Sequence, residues 1–82
     1  MREKIREKIY EGIRKIIDDD SVEIRDDSEI VRDLELSSLE ISRLLLMIET
    51  EFGIQISDAL LRRMNTVEDI INIADRYIQE KA

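Results

Sequence analysis

The chain has 82 residues and a net charge of -7; 43% of it is hydrophobic but only 4% aromatic, with two Gly and no Pro, Cys or His. That length suits one domain near the lower limit for a self-sufficient core, and with so few breaks for a multi-stranded sheet the composition points to an all-helical bundle with an aliphatic interior. The acidic balance disfavours nucleic acid and anionic lipid, the lack of Cys rules out disulfides and thiolate metal sites, and the commonest general bases and thiol nucleophiles are missing.

The acidity is uneven. Residues 1–17 carry a net +3, residues 18–40 a net -8, residues 41–65 a net 0 and residues 66–82 a net -2. The N-terminal "MREKIREKIY" is too charged for a signal peptide, and no apolar run approaches a membrane span. A cytoplasmic monomer without membrane insertion is the expectation, with partners that carry basic patches.

In chain order, Ile5, Ile9, Ile13 and Ile16/Ile17 recur at helical spacing and predict one buried stripe. Glu11 and Lys15 stand at i,i+4 on the polar side. Gly12 costs this helix about 1 kcal/mol relative to Ala. Asp18-Asp19-Asp20-Ser21 ends it, because these side chains compete for backbone hydrogen bonds. Residues 18–37 then read as a long connection pinned by Ile24, Ile30, Val31 and Leu34, with a short helical turn near Ser28 to Asp33. They are no calcium loop: counting from Asp18, position 5 is Val22 and position 6 is Glu23, where an EF-hand needs an oxygen ligand and a glycine.

A second helix is predicted from about Ser38 to Phe52, stopped by Gly53. Ile41, Leu44, Leu45, Ile48 and Phe52 fall on its core arc. Leu39, Ser42, Arg43, Leu46 and Thr50 fall on the opposite arc, where two aligned leucines suggest a docking stripe. After Ile54 to Ile56, Ser57-Asp58 is a plausible cap for a brief helix "ALLRRM". Thr66-Val67-Glu68-Asp69 is a capping pattern that opens a last helix with the stripe Val67, Ile70/Ile71, Ala74 and Tyr77/Ile78.

The stretch that invites chemistry is Ser37-Ser38-Leu39-Glu40. Ser37 and Glu40 make a reciprocal capping box, which leaves Ser38 at the first helical position with its hydroxyl near exposed amides. Such a place suits a phosphate ester. Autonomous catalysis is not expected: the lysines, Lys4, Lys8, Lys15 and Lys81, lie near the termini, so no Ser–Lys arrangement is indicated, and the carboxylates read as solvated faces.

"DLELSSLEISRLLLMIETEF" resembles the acyl carrier protein family, in which a Gly-x-Asp-Ser-Leu or Asp-Ser-Leu motif opens the second helix. "VEIRDDSEIVRDL" is similar to the family's first loop, "ETEFGIQIS" to the end of its second helix, and "MNTVEDIINIADRYI" to the start of its last. The resemblance covers essentially the whole chain. It implies a four-helix bundle of three long helices and one short, with a long loop between the first two, in one domain over residues 1–82. It also implies that a phosphopantetheinyl transferase attaches 4′-phosphopantetheine from coenzyme A to Ser38, the transferase supplying base and Mg²⁺. The protein would then carry acyl groups as thioesters for the acyl-transferring or synthase enzymes of one pathway.

Three departures narrow that expectation. Ser37 stands where the family usually has Asp. Arg43 occupies the centre of a recognition face that is usually acidic, although Glu40, Glu49 and Glu51 remain. The short third helix carries Arg62 and Arg63. These favour, ahead of a role in fatty acid synthesis, a dedicated carrier for a specialised acyl or polyketide-type pathway that docks through Leu39, Glu40, Arg43, Leu46, Arg62 and Arg63. D-alanyl or aminoacyl cargo is an alternative, peptidyl cargo less so because Gly-Gly-x-Ser is missing. The alternative from another class is an unmodified helical interaction module.

Overall fold

The computed structural model describes residues 1–81, apart from the side chains of Asp58 and Leu61. Three α-helices are present: α1 at Arg2–Ile16, α2 at Ser38–Phe52 and α3 at Val67–Lys81, with a 3₁₀ helix at Asp58–Arg63 before α3. The expected count of four helices is therefore not met: among the described residues the bundle has three α-helices, and Ala59 to Arg63 of "ALLRRM" lie in a six-residue 3₁₀ segment rather than an α-helix of their own. The segment starts where Ser57 Oγ accepts the Ala59 N–H at 3.3 Å and the Ser57 carbonyl accepts the Leu60 N–H at 3.0 Å.

Helix α1 packs against both α2 and α3. Its stripe Ile5, Ile9 and Ile13 is fully buried against Leu44, Leu45 and Ile48 of α2 and Val67, Ile70, Ile71 and Ala74 of α3. Burying each of these aliphatic side chains stabilises the fold by about 1.5–3 kcal/mol before conformational entropy is set against it. Ile16 and Ile17 are only half-buried at the edge of the core, because α1 stops at Ile16 and Ile17 turns to extended backbone. The acidic run ends the helix as anticipated, Asp19 Oδ1 accepting the N–H and the hydroxyl of Ser21 at 3.0 and 2.6 Å. On the polar side, Glu11 pairs with Lys8 at 3.8 Å rather than with Lys15. A preceding-turn lysine is an equally close neighbour on a helix.

The connection between α1 and α2 is anchored by backbone. The Ile30 N–H donates to the Asn65 carbonyl at 2.8 Å, and the Val67 and Glu68 N–H groups donate to the Ser28 and Asp26 carbonyls at 3.0 and 2.8 Å. An antiparallel bridge between Glu29 and Thr66 results, and it satisfies orphan donors at the start of α3. Asp69 completes that start: its Oδ2 accepts the Thr66 N–H at 2.9 Å while Thr66 Oγ1 accepts the Asp69 N–H at 3.2 Å. Ile24, Ile30 and Leu34 are buried as expected, but Val31 is 66% exposed and Leu36 is buried in its place. The expected helical turn at residues 28–33 forms as a single uncontinued turn, the Glu29 carbonyl accepting both the Asp33 and Leu34 N–H groups. It aims Val31 outward.

On the α1 side, Tyr10 donates its hydroxyl to Asp26 Oδ1 at 2.5 Å, and Arg6 Nε donates to the same oxygen at 2.9 Å. The Tyr10 hydrogen bond, and secondarily Arg6, hold the Asp26 carboxyl below its ordinary pKa. Burial and the same hydrogen bond raise that of Tyr10. Among the described residues no helix is long and apolar enough to cross a membrane.

Candidate functional site

The pinned connection delivers residues 34–37 in a fixed order. Leu34 and Leu36 are buried on either side of Glu35, whose side chain is exposed and whose φ is 54°. That left-handed conformation is costly for any residue with a Cβ. It lets the chain put two leucines into the core and then turn outward into α2.

Ser37 is the N-cap of α2, with φ -78° and ψ 167°. Its Oγ accepts the Glu40 N–H at 3.2 Å, and Glu40 Oε1 accepts the Ser37 N–H at 2.8 Å. Both halves of the expected capping box are formed. Ser38 is the first residue of the helix and is exposed. Its hydroxyl makes no hydrogen bond among the described residues, so of the two hydroxyls one is committed to the cap and the other is available. The surrounding field suits an added phosphodiester, since the start of a helix presents unpaired N–H groups and the positive end of the macrodipole. The residues present thus fit a covalently held phosphate-bearing group.

Further along α2, Leu44, Leu45 and Ile48 are buried and Ile41 and Phe52 half-buried on the predicted core arc. Leu39 and Leu46 are 79% and 63% exposed, and Arg43 between them is exposed. Gly53 closes the helix at φ 63° with its N–H on the Glu49 carbonyl. Arg62 and Arg63 are exposed on the 3₁₀ helix, a separate element. Arg63 borders a groove of ≈ 390 Å³ together with Leu60, Tyr77 and Arg76. No ion pair or hydrogen bond among the described residues uses Arg43, Arg62 or Arg63.

The acids that sequence reading left on the α2 face are occupied. Glu40 is in the cap, Glu49 Oε2 accepts the Ile56 N–H at 2.7 Å, and Glu51 stands 4.0 Å from Lys8. One signal in the sequence marks Glu35: it occupies the glycine place of the Gly-x-Asp-Ser-Leu pattern.

The phosphopantetheine attachment site family matches residues 7–73. An acyl carrier protein of Coprothermobacter proteolyticus is 35% identical over 80 residues, covering 93% of this chain and 98% of its own. One from Rickettsia typhi is 34% identical over 79 residues, covering 96% and 87%. The solution structure of a holo acyl carrier protein from Geobacter metallireducens superposes with a TM-score of 0.77 at 20% identity, covering 93% of this chain and 87% of that one. That likeness is one of fold. This chain is therefore a member of the acyl carrier protein family, whose prosthetic group is a covalent 4′-phosphopantetheine and whose members carry groups for other enzymes rather than catalyse a reaction.

Proposed function

We propose that this protein is loaded at Ser38 and carries acyl intermediates for a specialised acyl or polyketide-type pathway, with residues 1–82 acting as one carrier domain. The observation that carries the loading site is the division of labour between the adjacent hydroxyls. Ser37 Oγ is held by the Glu40 N–H, whereas Ser38 Oγ is exposed and uncommitted at the helix start. In loading, a P–O bond forms at Ser38 Oγ and the phosphoanhydride of coenzyme A breaks, adenosine 3′,5′-bisphosphate leaving with the electron pair. The serine proton passes to a base that the transferase supplies, since the described residues place no base against Ser38. Once attached, the arm supplies a terminal thiol that holds acyl groups as thioesters. The chain itself contributes the hydroxyl, the helix N-terminus that stabilises the phosphodiester charge, and the docking stripe.

The specialised pathway is favoured by Arg43, Leu39 and Leu46 on the exposed face of α2 and by Arg62 and Arg63 on the 3₁₀ helix. A reversed charge at a contact surface lowers encounter with partners built for the opposite sign. D-alanyl or aminoacyl cargo would use the same serine. The test is intact-protein mass spectrometry after incubation with coenzyme A, Mg²⁺ and a broad-specificity phosphopantetheinyl transferase. Wild-type protein should gain one phosphopantetheinyl group and Ser38→Ala none. No gain with several transferases would leave an unmodified interaction module as the better reading.

A further inference from the structure

What the face of α2 offers a partner depends on which of its charges are already in use. Glu40 has its carboxylate on the Ser37 N–H at 2.8 Å, and Glu49 has its own on the Ile56 N–H at 2.7 Å. Releasing Glu40 would give up the helix cap, and releasing Glu49 would leave the part-buried Ile56 N–H without its partner, so both carboxylates are held in place. Glu51 lies on the α1 side, lining the cleft between α1 and α2 with Lys8 and Gly12, and stands 4.0 Å from Lys8. Arg43 has no such engagement. It follows Leu39 by four residues and precedes Leu46 by three, which sets all three on one line of the helix. The exposed stripe running from the loading serine therefore reads apolar, cationic, apolar.

We propose that the cognate partner enzyme presents a carboxylate between two apolar recesses, the carboxylate pairing with Arg43 and the recesses receiving Leu39 and Leu46. This rests on Ser38 as the loading site, because an enzyme working on the arm must approach the helix that Ser38 begins. The net charge of -7 does not argue otherwise. Charges more than a Debye length away, roughly 8 Å at physiological salt, are largely screened. The acidic loop can thus steer encounter while the contact pair at Arg43 decides which surface is accepted. A partner with an unrelieved basic patch would set its cations against Arg43, with the carboxylates beside it held in the cap and in the Ile56 contact.

The test uses the unmodified full chain as a competitor, so that it does not depend on loading. The probe is a fatty-acid-type ketoacyl synthase with a basic carrier-docking patch, acting on its own carrier. Wild-type protein should inhibit weakly, Arg43→Glu about tenfold more strongly, and Arg43→Gln in between. With a synthase in which a docking lysine or arginine is replaced by glutamate, the order should reverse. Equal inhibition by wild type and Arg43→Glu, or a rank order that stays the same on both synthases, overturns the proposal. A failure of Ser38 to load would appear only in the mass measurement and leaves this result standing.

Discussion

Gly12 of α1 sits where a Cβ atom would come within 3.0 Å of Leu44 Cδ1 and 3.4 Å of Met47 Cε. The residue that looked like a propensity cost in sequence is the point at which α1 and α2 approach each other. Leu44 is fully buried and, with Gly12 and Met47, lines the cleft between α1 and α2, so its Cδ1 must shift by a few tenths of an ångström to admit a methyl group. Gly12→Ala gains about 1 kcal/mol of helix propensity but crowds Leu44 Cδ1 where the two helices meet, and overpacking typically costs about 1–3 kcal/mol. The expected net result is a loss of about 1 kcal/mol by urea denaturation. A stabilised variant would show that the Leu44 side of the core gives way.

The two serines separate by different measurements. Ser37→Ala removes the acceptor for the Glu40 N–H and should cost about 1 kcal/mol of stability, whereas Ser37→Asp should cost little because Asp caps as well as Ser. Ser38→Ala should leave the denaturation midpoint nearly unchanged, its hydroxyl having no intramolecular partner. Equal destabilisation by Ser37→Ala and Ser38→Ala would contradict the assignment of the cap.

The contrast between these positions also marks what was legible in the sequence. The Ser-x-x-Glu and Thr-x-x-Asp boxes and Gly53 fixed the ends of α2 and the start of α3, because caps are local chemistry. The core stripes were legible for the same reason, since periodicity needs no knowledge of neighbours. Leu36 and Val31 exchanged places because burial in the connection is set by the Glu29–Thr66 bridge, which joins segments far apart in sequence. Glu49 looked like a free acid of the docking face. Only the return of the chain after Gly53 brings the Ile56 N–H to it.

The cluster of Tyr10, Arg6 and Asp26 gives the fold an acid-sensitive tie. Asp26 titrates lower in the folded state because the Tyr10 hydroxyl, and then Arg6, favour its ionised form. The unfolded chain therefore takes up the proton first as pH falls. The contribution is complete above the ordinary Asp value of about 3.9 and is lost as pH drops through the folded one. The stability gap between wild type and Asp26→Asn should be constant above about pH 5 and shrink below about pH 4. In Tyr10→Phe, the NMR titration of the Asp26 carboxyl should move up toward the ordinary value. An unmoved midpoint there would mean that Arg6 alone sets it.

Glu35 carries the one positive φ outside glycine among the described residues, at 54°. A left-handed conformation costs an L-residue about 1–2 kcal/mol, and glycine gives back about 0.5–1 kcal/mol through the entropy of the unfolded chain. Glu35→Gly should therefore stabilise the protein by about 0.5–1 kcal/mol, the difference of the two. Glu35→Ala should give no such gain, because it keeps the Cβ that makes the conformation costly. Comparing the two by urea denaturation separates backbone relief from removal of an acid in a crowded acidic segment. If Ala stabilises as much as Gly, the relevant term is charge repulsion among residues 18–40, and the left-handed turn before Ser37 is held at little cost.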